Sequence, residues 1–80
     1  MKDRIRQVIG DHGSLDVGVS ELADGDDLYA AGMTSHASVN VMVALEDEFD
    51  LEFPDEMLKR EVFESVAAIE AALTELQKGS

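Results

Sequence analysis

Thr34-Ser35-His36 is the stretch of this chain best furnished for chemistry: two hydroxyls and an imidazole, preceded by Gly32 and followed by an unbroken helix-forming run from Ala37 to Phe49. A hydroxyl at such a junction has two uses. It can cap the helix by accepting a bond from one of the unpaired N–H groups of the first turn. It can also be an attachment point, because a phosphate esterified there would be favoured by those N–H groups and by the positive end of the helix dipole. The local pattern leaves both uses open. A Ser35–His36 catalytic pair is ruled out, since adjacent helical residues point about 100° apart and no third group orients the imidazole. His12, far away in the chain, falls at the expected end of an earlier helix, where an imidazole is a solvated residue favourable to the dipole. Asp24-Gly25-Asp26-Asp27 begins like a calcium loop but places Leu28 and Tyr29 where an oxygen ligand and a glycine are required, so it reads as a solvated acidic turn. With no cysteine and no phosphate-cradling glycine motif, no catalytic constellation is assembled and an enzyme is not expected.

The charge is lopsided. Six Lys and Arg stand against eighteen Asp and Glu, a net charge of −12, and between Arg6 and Lys59 there is no basic side chain other than histidine while thirteen acids fall there. Such a surface repels nucleic acid and anionic membranes and steers basic protein surfaces towards it. Self-repulsion of this size favours a monomer. No apolar run reaches the roughly 18 residues of a membrane span, and no secretory apolar segment opens the chain, so a cytoplasmic location is expected. Eighty residues with 45% apolar side chains suffice for one small domain, here placed at 1–78, with 79–80 a frayed end or a remnant of cloning.

The elements that must position Ser35 follow from periodicity. Ile5, Val8 and Ile9 predict a first helix over 2–12, weakened at its end by Gly10 and Gly13. A long loop, 13–33, carries Leu15, Val17, Val19, Leu22, Leu28 and Tyr29, too apolar to be structureless, and is expected to pack across the helices. The second helix, about 35–50, has Ser38, Val41, Met42, Leu45 and Phe49 on a core stripe. A second stripe runs through His36, Val39, Val43, Glu46, Asp47 and Asp50: either an over-wide core face, or a recognition surface with an apolar strip flanked by carboxylates. Pro54 is placed at the first position of a short helix ending at Leu58 or Arg60. Ser65 caps a last helix bearing Val66, Ile69, Leu73 and Leu76, with residues 77–80 fraying. The expectation is an all-α bundle of three principal helices, one short helix and the long loop between the first two.

At this point the sequence resembles the acyl and peptidyl carrier proteins, which carry 4′-phosphopantetheine on a serine at the start of their second helix. The likeness rests on Asp27-Leu28, Gly32, Thr34-Ser35-His36, Glu46-Asp47-Glu48-Phe49 and Phe53-Pro54-Asp55-Glu56, in order and without a gap, from about Asp26 through Ile69. Thr34 stands where the family has Asp, and His36 where it has Leu. The resemblance implies a small four-helix carrier bundle and Ser35 as the attachment residue, with Thr34 and His36 beside it. It implies an arm donated by coenzyme A through a phosphopantetheinyl transferase. It also implies a loading ligase or synthetase and downstream transferases as partners, which Val39, Val43, Glu46, Asp47 and Asp50 would meet. The cargo would be a thioester-bound acyl or aminoacyl group; the altered serine motif fits a dedicated carrier. The alternative is an unmodified acidic adaptor that binds a protein through the second helix, with Ser35 a cap and nothing more.

Overall fold

A computed structural model describes residues 1–78. It contains three α-helices: α1 (Lys2–His12), α2 (Ser35–Phe49) and α3 (Val66–Lys78). Among the described residues there is no strand, and no helix is long and apolar enough to cross a membrane. The expected positions of α1 and α2 are met to within a residue, and the end of α1 and both ends of α2 carry their own signals. Gly13 closes α1, its N–H donating to the Ile9 carbonyl at 2.7 Å. Thr34 opens α2 and Asp50 closes it in the left-handed conformation, φ 53°. The last helix starts one residue after Ser65, whose hydroxyl accepts from the Ala68 N–H at 3.0 Å. It extends through Gln77 and Lys78, which were expected to fray; Gly79 and Ser80 lie outside the described residues.

One apolar core joins the helices: Ile5, Val8 and Ile9 of α1, Ala37, Val41 and Leu45 of α2, and Val66, Ile69, Ala72 and Leu73 of α3. Leu28, Met33, Phe53 and Phe63 enter it from the connecting segments. The long loop therefore behaves as its apolar residues required. Its second half is pinned to the start of α3 and the residues before it by backbone bonds, Leu28 N–H to the Glu64 carbonyl at 2.7 Å and Ala67 N–H to the Asp24 carbonyl at 2.9 Å. Arg6 staples its middle: one guanidinium nitrogen donates to the Val19 and Leu22 carbonyls, each at 2.8 Å, and another to Asp24 at 2.6 Å. Asp24 also pairs with Lys2 at 3.0 Å, so the acidic turn is a crosslink at Asp24 and not simply a solvated bend. Arg6 first, then Lys2, holds the Asp24 carboxyl below the ordinary carboxylate range.

The short helix differs from expectation. Pro54 precedes the first helical position, and the chain makes two separate 3-10 turns, Asp55–Met57 and Arg60–Val62, with Lys59 extended between them. The reason lies in what must be buried. Met57, Val62 and Phe63 all pack on the core, whereas on one continuous α-helix they would point in about three different directions, 100° per residue apart. Breaking the helix at Lys59 lets all three face inward. Phe63 meets Phe53 edge-on, ring centroids 5.1 Å apart.

Candidate functional site

The two hydroxyls at the head of α2 have separate tasks. Thr34 is the cap: its Oγ1 accepts from the Ala37 N–H at 3.0 Å, with the extended backbone such a residue adopts. Ser35 is the first residue of the helix proper, exposed, and its Oγ makes no hydrogen bond with the described residues. The first backbone bond of the helix runs from the Ser38 N–H to the Thr34 carbonyl at 2.9 Å, so the N–H groups of Ser35 and His36 precede it and stay available. Gly32 makes this arrangement possible. At φ +113° it turns the chain into the cap, and a Cβ there would lie 2.7 Å from the Asp16 carboxylate.

Beside Ser35 runs a groove of about 320 Å³ between α2 and the segment 58–63. It is lined by Ser35, Ser38, Val39 and Met42 of α2, by Leu58, Lys59, Arg60 and Phe63 of that segment, and by Tyr29. The Arg60 guanidinium lies over the Tyr29 ring, 4.0 Å from its centroid. Ser38, placed by periodicity on the core stripe, is half-buried and donates to the Ser35 carbonyl at 2.7 Å, so it lines this groove. Met42 shares that edge position, and Phe49 is half-buried beneath the Arg4 guanidinium at 4.7 Å.

The second stripe of α2 is a surface and not an over-wide core face: Val39 is 51% and Val43 54% exposed, against 0% for Leu45. It is not one surface, however. Val39 belongs to the Ser35 groove, while Val43 and Asp47 line a wider depression, about 770 Å³, between α2 and α1. His36 is exposed beside Ser35. Glu46 is turned back, its carboxylate accepting from the Phe53 N–H at 2.8 Å, and so braces the chain where it leaves α2. Asp50 sits in the left-handed cap of the helix. Arg4 reaches Glu48 at 2.8 Å, so the acidic end of α2 is not without a basic neighbour. The structure thus leaves His36, Asp47 and Asp50 exposed and gives Glu46 a structural task. Periodicity missed Tyr29, Leu58, Lys59 and Arg60; the one signal for the last two was that they end the long stretch free of Lys and Arg.

Nothing around Ser35 is arranged to transform a substrate. An uncommitted hydroxyl on a helix head is suited to bear a group that other proteins act on, and the class so defined is a carrier, not a catalyst. The chain belongs to the family of phosphopantetheine attachment sites, whose model matches residues 3–73. The prosthetic group of that family is 4′-phosphopantetheine, and the exposed, unpartnered Ser35 hydroxyl beside a groove with two cations fits it. Over 70 residues, 88% of this chain and 84% of the relative, the sequence is 47% identical to a protein named aminoacyl carrier protein from Agrobacterium fabrum. Among solved structures, it is similar to the carrier protein from Agrobacterium tumefaciens in complex with an engineered Bradyrhizobium japonicum glycine:carrier protein ligase and AMP. There the TM-score is 0.90 with 44% identity, covering 92% of this chain and 99% of that one, so the match is to the carrier. A second match is to a chain in the structure of the Bradyrhizobium japonicum glycine:carrier protein ligase complexed with glycylated carrier protein, TM-score 0.76 and 28% identity, covering 89% and 95% of the two chains.

Proposed function

We propose that Ser35 carries the 4′-phosphopantetheine arm and that the chain holds an amino acid on it, delivered by a ligase of the kind seen with its relatives. The observation that carries the assignment is the division of labour at the head of α2: Thr34 caps, leaving the Ser35 oxygen exposed and uncommitted. In the attachment step the Ser35 Oγ forms a bond to the phosphorus that bears the pantetheine of coenzyme A. Its proton is lost, and the bond to the adenosine-side phosphate breaks, releasing adenosine 3′,5′-bisphosphate. A phosphopantetheinyl transferase supplies the base and the magnesium for this. When bound, the group supplies a terminal thiol that holds the cargo as a thioester, chemistry that a chain without cysteine cannot provide. Tethering then replaces diffusion of free cargo by a high effective concentration at each docked enzyme.

An aminoacyl cargo is supported by the relatives' names and by the closed interior of this bundle. Val41, Leu45, Val66, Ile69 and Leu73 are fully buried and leave the Ser35 groove as a surface feature. The exposed His36, Asp47 and Asp50 form the face a basic loading enzyme would meet. The test is intact mass. With coenzyme A and a permissive transferase the protein gains one phosphopantetheine, and with ATP, an amino acid and a carrier-protein ligase it gains one aminoacyl group. Ser35→Ala gains neither. Modification persisting in Ser35→Ala would overturn the site, and loading by fatty acyl but never aminoacyl donors would overturn the cargo.

A further inference from the structure

The acidic turn that crosslinks the long loop to α1 contains the single Asp-Gly step of the chain, Asp24-Gly25. That dipeptide has a chemistry of its own: the glycine nitrogen can attack the preceding side-chain carboxyl, because no Cβ on the glycine obstructs the approach. Here the nucleophile is free. Gly25 is exposed, its N–H donates to none of the described residues, and a Cβ built on it would meet nothing within 4 Å. The electrophile is not free. One Asp24 carboxylate oxygen accepts from the Arg6 guanidinium at 2.6 Å, and the other pairs with the Lys2 ammonium at 3.0 Å. Two cations on one carboxylate favour its ionised form, which an amide nitrogen does not attack. The neighbouring acids leave this clamp in place. Glu70 of α3 reaches Lys2 only at 3.8 Å, and the Asp26 and Asp27 carboxylates accept from the Ala23 and Tyr29 N–H groups, each at 2.9 Å.

We propose that Asp24-Gly25 is a site of isoaspartate formation that Arg6 and Lys2 keep closed in the folded protein. Once the carboxyl is released and protonated, the Gly25 nitrogen bonds to the Asp24 Cγ and the Cγ–OH bond breaks. The hydroxyl leaves with the nitrogen's proton as water, and the succinimide so formed takes up a water in turn. Opening at the side-chain carbonyl restores aspartate. Opening at the main-chain carbonyl routes the backbone through Cβ and Cγ and leaves the former peptide carbonyl as a free carboxylate. The composition is unchanged, but two ties of the loop are rewritten at once. The carboxylate that held Arg6 and Lys2 is now a backbone amide, and the carbonyl that accepts from the Ala67 N–H at 2.9 Å is now a carboxylate. The main chain is also one methylene longer between Asp24 and Leu28, both of which are bonded to the region around the start of α3. The crosslink as built cannot re-form, so the segment that leads to Thr34 and Ser35 ages in one direction. This holds whatever group Ser35 bears.

The experiment incubates the full chain in mildly acidic buffer, where an ordinary carboxyl is partly protonated. Isoaspartate is counted by methyl transfer from S-adenosylmethionine with a protein isoaspartyl methyltransferase, and placed by peptide mapping with a protease that cuts before aspartate and not before isoaspartate. In urea the wild type forms isoaspartate at residue 24 severalfold faster than when folded. Folded Arg6→Gln approaches the urea rate. Lys2→Met, which leaves the Arg6 bonds to Val19 and Leu22 in place, falls between wild type and Arg6→Gln. Gly25→Ala, at a position with room for the methyl group, loses most of the reaction in every background, in urea as well. Circular dichroism before incubation shows which variants are folded; should Arg6→Gln not fold, Lys2→Met carries the comparison. The isoaspartyl fraction, separated by ion exchange, unfolds at lower urea than the unaged protein. Equal rates for folded and urea-unfolded wild type, or a rate in folded Lys2→Met no higher than in wild type, overturn the protective clamp. Isoaspartate found at other residues and not at 24 overturns the site, and an unchanged urea midpoint in the isoaspartyl fraction overturns the loss of the loop's ties.

Discussion

Removing the hydroxyl of Thr34 should destabilise the fold, and removing that of Ser35 should not. In Thr34→Ala the Ala37 N–H loses an acceptor at 3.0 Å, and substitution of a capping threonine by alanine costs about 0.5–2 kcal/mol, typically near 1. Thr34 is exposed, so water takes over part of the lost bond and the lower half of that range applies. For a domain of this size about 1 kcal/mol displaces the melting temperature by about 4–8 °C. The Ser35 hydroxyl bonds to none of the described residues, and alanine is the better helix former, so Ser35→Ala should stay within about 0.5 kcal/mol of wild type. Thermal unfolding of the unmodified proteins, followed by circular dichroism, measures both. Thr34→Ser should recover most of the loss, since it restores the oxygen and omits only the methyl. Equal melting temperatures for wild type and Thr34→Ala, or a larger drop for Ser35→Ala, would refute the separation of capping from attachment.

Leu45→Ala, at a fully buried position, should cost about 2–5 kcal/mol, while Val43→Ala on the exposed face should stay within about 0.5 kcal/mol; urea midpoints decide. Glu46→Lys should unfold more readily than wild type because the Phe53 N–H loses its carboxylate acceptor. By contrast Asp47→Lys should leave stability intact and slow aminoacyl loading, an effect that fades as salt rises above about 0.15 M. Asp24 is held below the ordinary carboxylate range by Arg6 and Lys2, so its contribution to stability is present above that range and lost as pH falls through its lowered value. The stability difference between wild type and Asp24→Asn, followed by urea unfolding from neutral pH into acid, should therefore shrink on the acid side; a constant difference would show that the crosslink does not act through charge.

What was legible in the sequence was whatever is decided within a few residues. Thr34 and Ser65 announce two helix starts by type and position, and Gly13 and the left-handed Asp50 close two ends within a residue of where periodicity stops. The exposed face of α2 could be read from spacing, but whether it was surface or core required knowing which neighbours arrive. The acids were harder. Nothing local separates Glu46, which folds back onto Phe53, from Asp47, which does not, because the acceptor role is created by the path of the chain after Asp50. The groove was illegible for the same reason: Tyr29 and Arg60 meet only because the long loop and the 3-10 turns bring them together. A helix predicted through Leu58 or Arg60 would have concealed Lys59 and Arg60, since their placement depends on the break between the two turns.

The stack of Arg60 on Tyr29 also makes the protein its own optical probe. Tyr29 is the single tyrosine of the chain and there is no tryptophan, so near-ultraviolet emission from the whole molecule comes in practice from one ring. That ring lines the groove beside Ser35, beneath a cation. Its fluorescence intensity and its absorbance near the phenol band report on this corner alone, with no label attached and no other fluorophore to subtract. The purified protein with and without a group on Ser35 can thus be compared at the head of α2 by watching a single residue.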